Sequence, residues 1–176
     1  MIDLSAAAGA AATPPAPAPP PALRACLFVL AGSLYAVDVR SAREVAVFDG
    51  FTVVPRAPAW LLGVANLRGV VMPIVDVRPH LGLSAHRPGA VIKGLIVEHA
   101  TIQVAVAIEA ALGLEPFTEV IPDTRPGESS LPTRRRFVAG FLPRGEEMVT
   151  LLDVPIMLGA LAHELRTADQ AEEDRR

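Results

Sequence analysis

Residues 63–82 read GVANLRGVVMPIVDVRPHLG, and residues 140–159 read GFLPRGEEMVTLLDVPIMLG. The two stretches share one frame. In the first, Gly63 is followed after four residues by Arg68-Gly69, after six more by Asp76-Val77 and after three more by Leu81-Gly82. In the second, Gly140 is followed after three residues by Arg144-Gly145, after seven by Asp153-Val154 and after three by Leu158-Gly159. Only the turn has moved, by one residue. Such a repeat predicts a duplicated strand-turn-strand-helix unit. Each copy alone would bury little apolar surface, so two small barrels packed on a shared apolar seam are expected.

Working outward, the rest of the chain between the tails consists of short apolar runs separated by turn residues, the pattern of many short strands. Leu27 to Leu30 and Leu34 to Val39 flank Ala31-Gly32-Ser33 and predict a hairpin whose glycine takes positive φ. A weaker pairing sets this hairpin against Leu95 to Ile108. Further strands are expected at Glu44 to Phe48, Leu61 to Leu67, Val70 to Val75, Val91 to Val97, Ile102 to Ile108, Phe137 to Leu142 and Met148 to Leu152. Short helices are expected after Asp76 and after Asp153, each aspartate capping a helix start with Pro79 or Pro155 early in the first turn. Pro73, which has no N–H to give a ladder, places Val70 to Val75 at a sheet edge or a bulge. Trp60, just after Pro58, is expected to anchor its strand against the barrel.

The segment Val54 to Arg78 has a proline-containing lead-in, an aromatic at Trp60, Gly63-Val64, then Asn66-Leu67-Arg68-Gly69, then an apolar strand with an internal proline closing on Asp76. It resembles the signature of the CheW family of bacterial chemotaxis coupling proteins. Arg43-Glu44-Val45 looks like the family's acidic residue on its third strand, and Leu151-Leu152-Asp153-Val154 looks like its closing strand. The likeness runs from about Arg24 to Leu161. It implies a mainly β fold of two pseudo-symmetric SH3-like five-stranded β-barrels with short helices. It implies no catalysis and no cofactor, and a bridge between the cytoplasmic tip of a chemoreceptor and the regulatory domain of a histidine kinase. Carried onto this chain, the partner-binding set is Ala42, Glu44, Val45, Gly63, Asn66, Arg68 and Gly69, with Glu44 and Arg68 close together in the first barrel. Two positions depart from the family pattern: Glu109 stands where an aspartate is common, and Ala65 replaces a larger apolar residue.

Composition restricts the alternatives. The chain has 176 residues, 51% hydrophobic and 5% aromatic, with a formal charge of -3. That charge argues against a dominant phosphate-backbone footprint, and few aromatics are available for stacking on single strands. A single cysteine, Cys26, rules out an intramolecular disulfide and reads as a small buried apolar residue. His80, His86, His99 and His163 form no HExxH or close metal-ligand spacing, and no GxSxG, Walker loop or GxGxxG is present. No apolar run reaches the roughly 18 residues of a spanning helix, and the N-terminus lacks the basic start of a secretory signal, so a cytoplasmic protein is expected.

Three parts are therefore expected. Residues 1–22, with prolines at 14, 15, 17 and 19–21, form an Ala/Pro-rich disordered leader. Residues 23–162 form the domain, with lobes of approximately 23–85 and 86–162. Residues 163–176 form a charged tail or fraying helix end. A second functional reading rests on Arg134, Arg135 and Arg136, which could hold a phosphorylated small ligand such as a cyclic dinucleotide, since guanidinium fits phosphate bidentately.

Overall fold

The computed structural model describes residues 23–85, 91–123 and 136–173. The expected leader and the residues Arg134 and Arg135 lie outside them. Among the described residues, eleven strands, a single 3-10 turn and one α-helix follow in order. Strands β1 (Leu23–Leu30) and β2 (Ser33–Asp38) meet at Ala31-Gly32, with φ of 48° and 74°. Two left-handed residues give a turn whose twist matches the flanking strands. Then come β3 (Ala42–Phe48), β4 (Leu61–Leu67), β5 (Val70–Val75) and the 3-10 turn Pro79–Leu81. The second half holds β6 (Ile92–His99), β7 (Ile102–Ile108), β8 (Ala110–Phe117), β9 (Ile121–Pro122), β10 (Val138–Arg144), β11 (Glu147–Leu152) and α1 (Val154–Glu173).

The strands form two SH3-like barrels, one built on the order β3-β6-β7-β5-β4 and the other on β8-β1-β2-β11-β10-β9. The duplication is visible in three dimensions: β4–β5 matches β10–β11, β6–β7 matches β1–β2, and β8 matches β3. The sheets do not, however, divide the chain at residues 85 and 86. The first hairpin, β1–β2, pairs with β8 and β11 from the second half, while β6–β7 pairs with β3 and β5 from the first. Equivalent hairpins have been exchanged between the halves. The repeat predicts which strands resemble one another; it does not say which copy each pairs with.

Exchange explains the burial. Cys26 and Phe28 of β1 face a central cluster shared by both barrels and α1, whereas Leu27 faces the interior of its own barrel with Phe117, Leu142 and Val149. A strand covered on both faces must be continuously apolar, as residues 25–28 are. The other barrel is filled by Phe48, Met72, Ile74, Ile92 and Ile96. Trp60 is 8% exposed and belongs to the central cluster. Its carbonyl accepts the Asp76 N–H at 2.7 Å, just as the Phe137 carbonyl accepts the Asp153 N–H at 2.8 Å.

Several local expectations are corrected. Strand β5 lies between β7 and β4 and is not an edge; β7 joins it only at Ile74 and Val75, so at Pro73 the strand has β4 alone as a neighbour. Asp76 caps no helix, because its carboxylate is taken by Arg78, through the backbone N–H at 3.1 Å and the guanidinium at 3.0 Å. Asp153 does cap α1, accepting the Ile156 N–H at 2.9 Å. The helix after Asp76 is one 3-10 turn stopped by left-handed Gly82, but Gly159 at the matching place stays inside a helix of 20 residues. Good helix formers follow Gly159, and Leu161 is buried against the core. Of the two alternatives expected from residue 163, a charged tail or a helix end, the described residues as far as Glu173 are helix.

Candidate functional site

The turn between β4 and β5 is built from Arg68 and Gly69, with φ of 52° and 87°. The Asn66 side-chain oxygen accepts the Gly69 N–H at 2.7 Å and fixes the turn from within. Holding a non-glycine residue in the left-handed region costs roughly 1 kcal/mol, so Arg68 is aimed at the expense of local strain. Its guanidinium donates twice to Glu44, at 3.0 Å to Oε1 and 2.7 Å to Oε2. Glu44 lies on β3 and Arg68 at the end of β4, the two edges of one sheet. The pair therefore closes the barrel edge to edge while 75% of the arginine side chain remains exposed.

The remaining candidates do not all gather at this fork. Val45 follows Glu44 and is 43% exposed, and Val70 and Val71 after the turn are 56% and 67% exposed. Val70 and Val71 directly follow the turn that carries Arg68 and line the groove beside it. Ala42 is half-buried against the central cluster, away from the fork. Gly63 is buried at the far end of β4, at a bulge where the chain at Phe51 and Thr52 crosses it. It shapes the strand that leads to Arg68 and lies away from the fork itself.

The same fork exists a second time. Arg144, at the end of β10, donates from Nε and Nη2 to the two oxygens of Glu115 on β8, each at 2.9 Å. This contact raises the arginine pKa further, first through the hydrogen bond and then through the charge of Glu115. The sequence carried half of this signal, since Arg144-Gly145 repeats Arg68-Gly69. The other half was hidden because Glu115 lies in a stretch that does not read as a strand.

Glu109 sits where the two barrels meet. Its oxygens accept the N–H groups of Ala31 at 2.6 Å and Gly32 at 3.0 Å in the β1–β2 turn, and the Arg78 guanidinium at 3.2 Å. Arg78 is 1% exposed and also donates to the Ala107 carbonyl at 3.2 Å. The Gly32 N–H, followed by that of Ala31 and by Arg78, holds the Glu109 carboxyl below its ordinary range against the opposing effect of burial.

Beside the fork runs an apolar groove of about 750 Å³. Val64, Val70 and Val71 line it on the barrel side, and Leu158, Leu161 and Leu165 on the α1 side. Arg136, the described member of the arginine triplet, is exposed and borders a separate hollow with His163 and Glu164. Among the described residues, no group of histidine, cysteine, aspartate and glutamate could hold a metal ion, and no helix is long and apolar enough to cross a membrane.

Comparison with known proteins agrees with this architecture. A crystal structure of the scaffolding protein TtCheW from Thermoanaerobacter tengcongensis has the same fold, with a TM-score of 0.65 at 23% identity over 76% of this chain and 90% of that one. A probable chemotaxis protein CheW of Rhizobium etli is 29% identical over 127 residues, 72% of this chain and 81% of the relative. The chemotaxis protein CheW of Helicobacter pylori is 29% identical over 135 residues, 74% of this chain and 78% of the relative. With residues 24–162 matched by the model of the CheW-like domain, a span that includes both forks and the exchanged hairpins, the chain belongs to the CheW-like domain family.

Proposed function

We propose that this protein is a non-catalytic adaptor of a bacterial chemosensory array, coupling the cytoplasmic tip of a chemoreceptor to the regulatory domain of a chemotaxis-type histidine kinase. It acts in the cytoplasm and is recruited to membrane-associated receptor arrays. The observation that carries the reading is the exposed Arg68, aimed by its turn, gripped by Glu44 and followed in the chain by the exposed Val70 and Val71. Such a surface suits a protein partner, because its charge is preorganised and exposed apolar side chains adjoin it. The groove beside it receives the receptor helix, and the barrel ends receive the kinase domain. Holding both partners at once strengthens the assembly through effective concentration.

The test is co-purification of the full chain with a chemoreceptor cytoplasmic fragment and with a chemotaxis-type kinase, separately and together. A ternary complex is expected, and Arg68→Ala should weaken association by about 1–3 kcal/mol. Failure of the wild-type chain to contact either partner would overturn the proposal. A folded Arg68→Ala variant that binds both normally would remove Arg68 from the docking surface.

A further inference from the structure

The match to the CheW-like domain ends at residue 162, yet α1 continues to Glu173. Two residues just beyond that boundary bear on the groove. Glu164 reaches back to His80, with its Oε2 at 3.0 Å from the histidine Nε2. His80 is itself 6% exposed and lies between Trp60 and Phe137, at centroid distances of 6.1 Å and 5.2 Å. Those two aromatics are the matching residues of the two repeats, so the helix extension is tied to the seam of the molecule. Leu165, one residue on, is 37% exposed and completes the α1 wall of the apolar groove.

We infer that Glu164 and Leu165 determine which helical partner the groove accepts: Glu164 positions the extension, and Leu165 supplies the contact. The inference rests on the reading of the groove as the receptor site. Leu158, Leu161, Ala162 and Leu165 recur at i, i+3, i+4 and i+7 and present one stripe of α1 to the groove. Leu158 and Leu161 are buried at 1% and 3% exposure and form the floor of the groove, so Leu165 is the large apolar side chain that α1 leaves for a partner helix to cover. The opposite wall, Val70 and Val71, adjoins the turn that carries Arg68, so groove and fork form one continuous surface. Large apolar side chains left exposed on both walls are what an amphipathic helix would cover. Without the tie to His80, the end of α1 would fray and the wall would lose its last leucine.

The experiment is calorimetric titration of the full chain with a purified helical-hairpin fragment from a chemoreceptor's cytoplasmic region, and separately with the kinase regulatory domain. Leu165→Ala and Glu164→Ala should each weaken receptor-fragment binding roughly tenfold, as loss of one buried anchor does. Leu165→Met should bind as the wild type does. Affinity for the kinase domain should be unchanged in all three, and the melting temperature of Leu165→Ala should match the wild type. Undiminished receptor binding by Leu165→Ala and Glu164→Ala would overturn the inference, as would an equal loss of kinase binding. A wild-type chain that fails to bind the receptor fragment would instead defeat the underlying functional reading, a result recognisable before any variant is made.

Discussion

Gly63 and Gly140 occupy equivalent places in the two halves of the chain, each beneath a crossing backbone. A Cβ on Gly63 would lie 2.4 Å from the carbonyl oxygen of Thr52, and one on Gly140 would lie 2.5 Å from that of Ile121. Both sit at bulges in their hairpins. The isolated bridge of Thr52 to Val64 in one barrel plays the part of β9 in the other. The opening glycine of the sequence repeat is thus set by close approach, because no side chain fits under those carbonyls.

Gly63→Ala and Gly140→Ala should therefore each lower stability by about 1–3 kcal/mol in urea unfolding, the usual cost of overpacking. Gly159→Ala is the control. It lies on the exposed side of α1 with nothing within 4 Å of the added carbon, and should raise stability by about 0.5–1 kcal/mol.

The Arg68–Glu44 fork is mainly solvent-exposed on the arginine side. Removing it should change stability by only about 0–1 kcal/mol, because exposed pairs are screened and lose side-chain entropy. Thermal melts of Arg68→Ala and Glu44→Ala should accordingly lie near the wild type. A large drop in both would make the pair a structural clasp and leave the docking role unsupported.

Asp76 and Asp153 match in sequence but should respond differently to alanine. Asp153→Ala removes a helix cap and should cost about 0.5–2 kcal/mol. Asp76→Ala takes a carboxylate from Arg78, which is 1% exposed, and should cost about 3–5 kcal/mol, the penalty of a buried charge deprived of a partner. Chemical denaturation of the two variants side by side decides the matter, and equal losses would contradict it.

Glu109 should contribute an acid-sensitive part of the stability. Its folded pKa lies below the unfolded value, which is about 4.3 for a glutamate. Its contribution is therefore fully present above that value and is lost as pH falls through the lowered folded pKa. Asp38 and Glu98 are also lowered by their arginine partners, so the difference between wild type and Glu109→Gln isolates the effect. The variant should be less stable at neutral pH and approach the wild type as the solution is acidified. A difference independent of pH would exclude the charge of Glu109 as the cause.

Much of the fold was legible because apolar runs and turn residues are local signals. Strands β4, β5 and β7 coincide with runs read directly from the sequence, and the Ala31-Gly32 and Arg68-Gly69 turns follow from their glycines. Strand β8 was not legible. Leu112 and Leu114 are exposed, Gly113 takes φ of 111°, and a register shift opposite Leu27 and Phe28 breaks the alternation that marks a strand. With β8 unseen, Glu115 had no position and the second fork could not be inferred. Glu109 stood out only as an unusual residue, since its three donors come from segments 31 to 78 positions away.

The amino-acid order by itself determined the turn chemistry and the closing aspartates, because each depends on residues within a few positions of one another, and the duplication, because the same local pattern recurs at two places in the chain. Tertiary structure alone decided that the hairpins trade places, that one aspartate caps a helix while its twin holds a buried arginine, and that α1 continues past residue 162 with Glu164 reaching back to His80. The reason is physical. Two copies of a hairpin offer nearly the same hydrogen bonds and apolar face to either barrel, and only simultaneous packing across the seam selects between them.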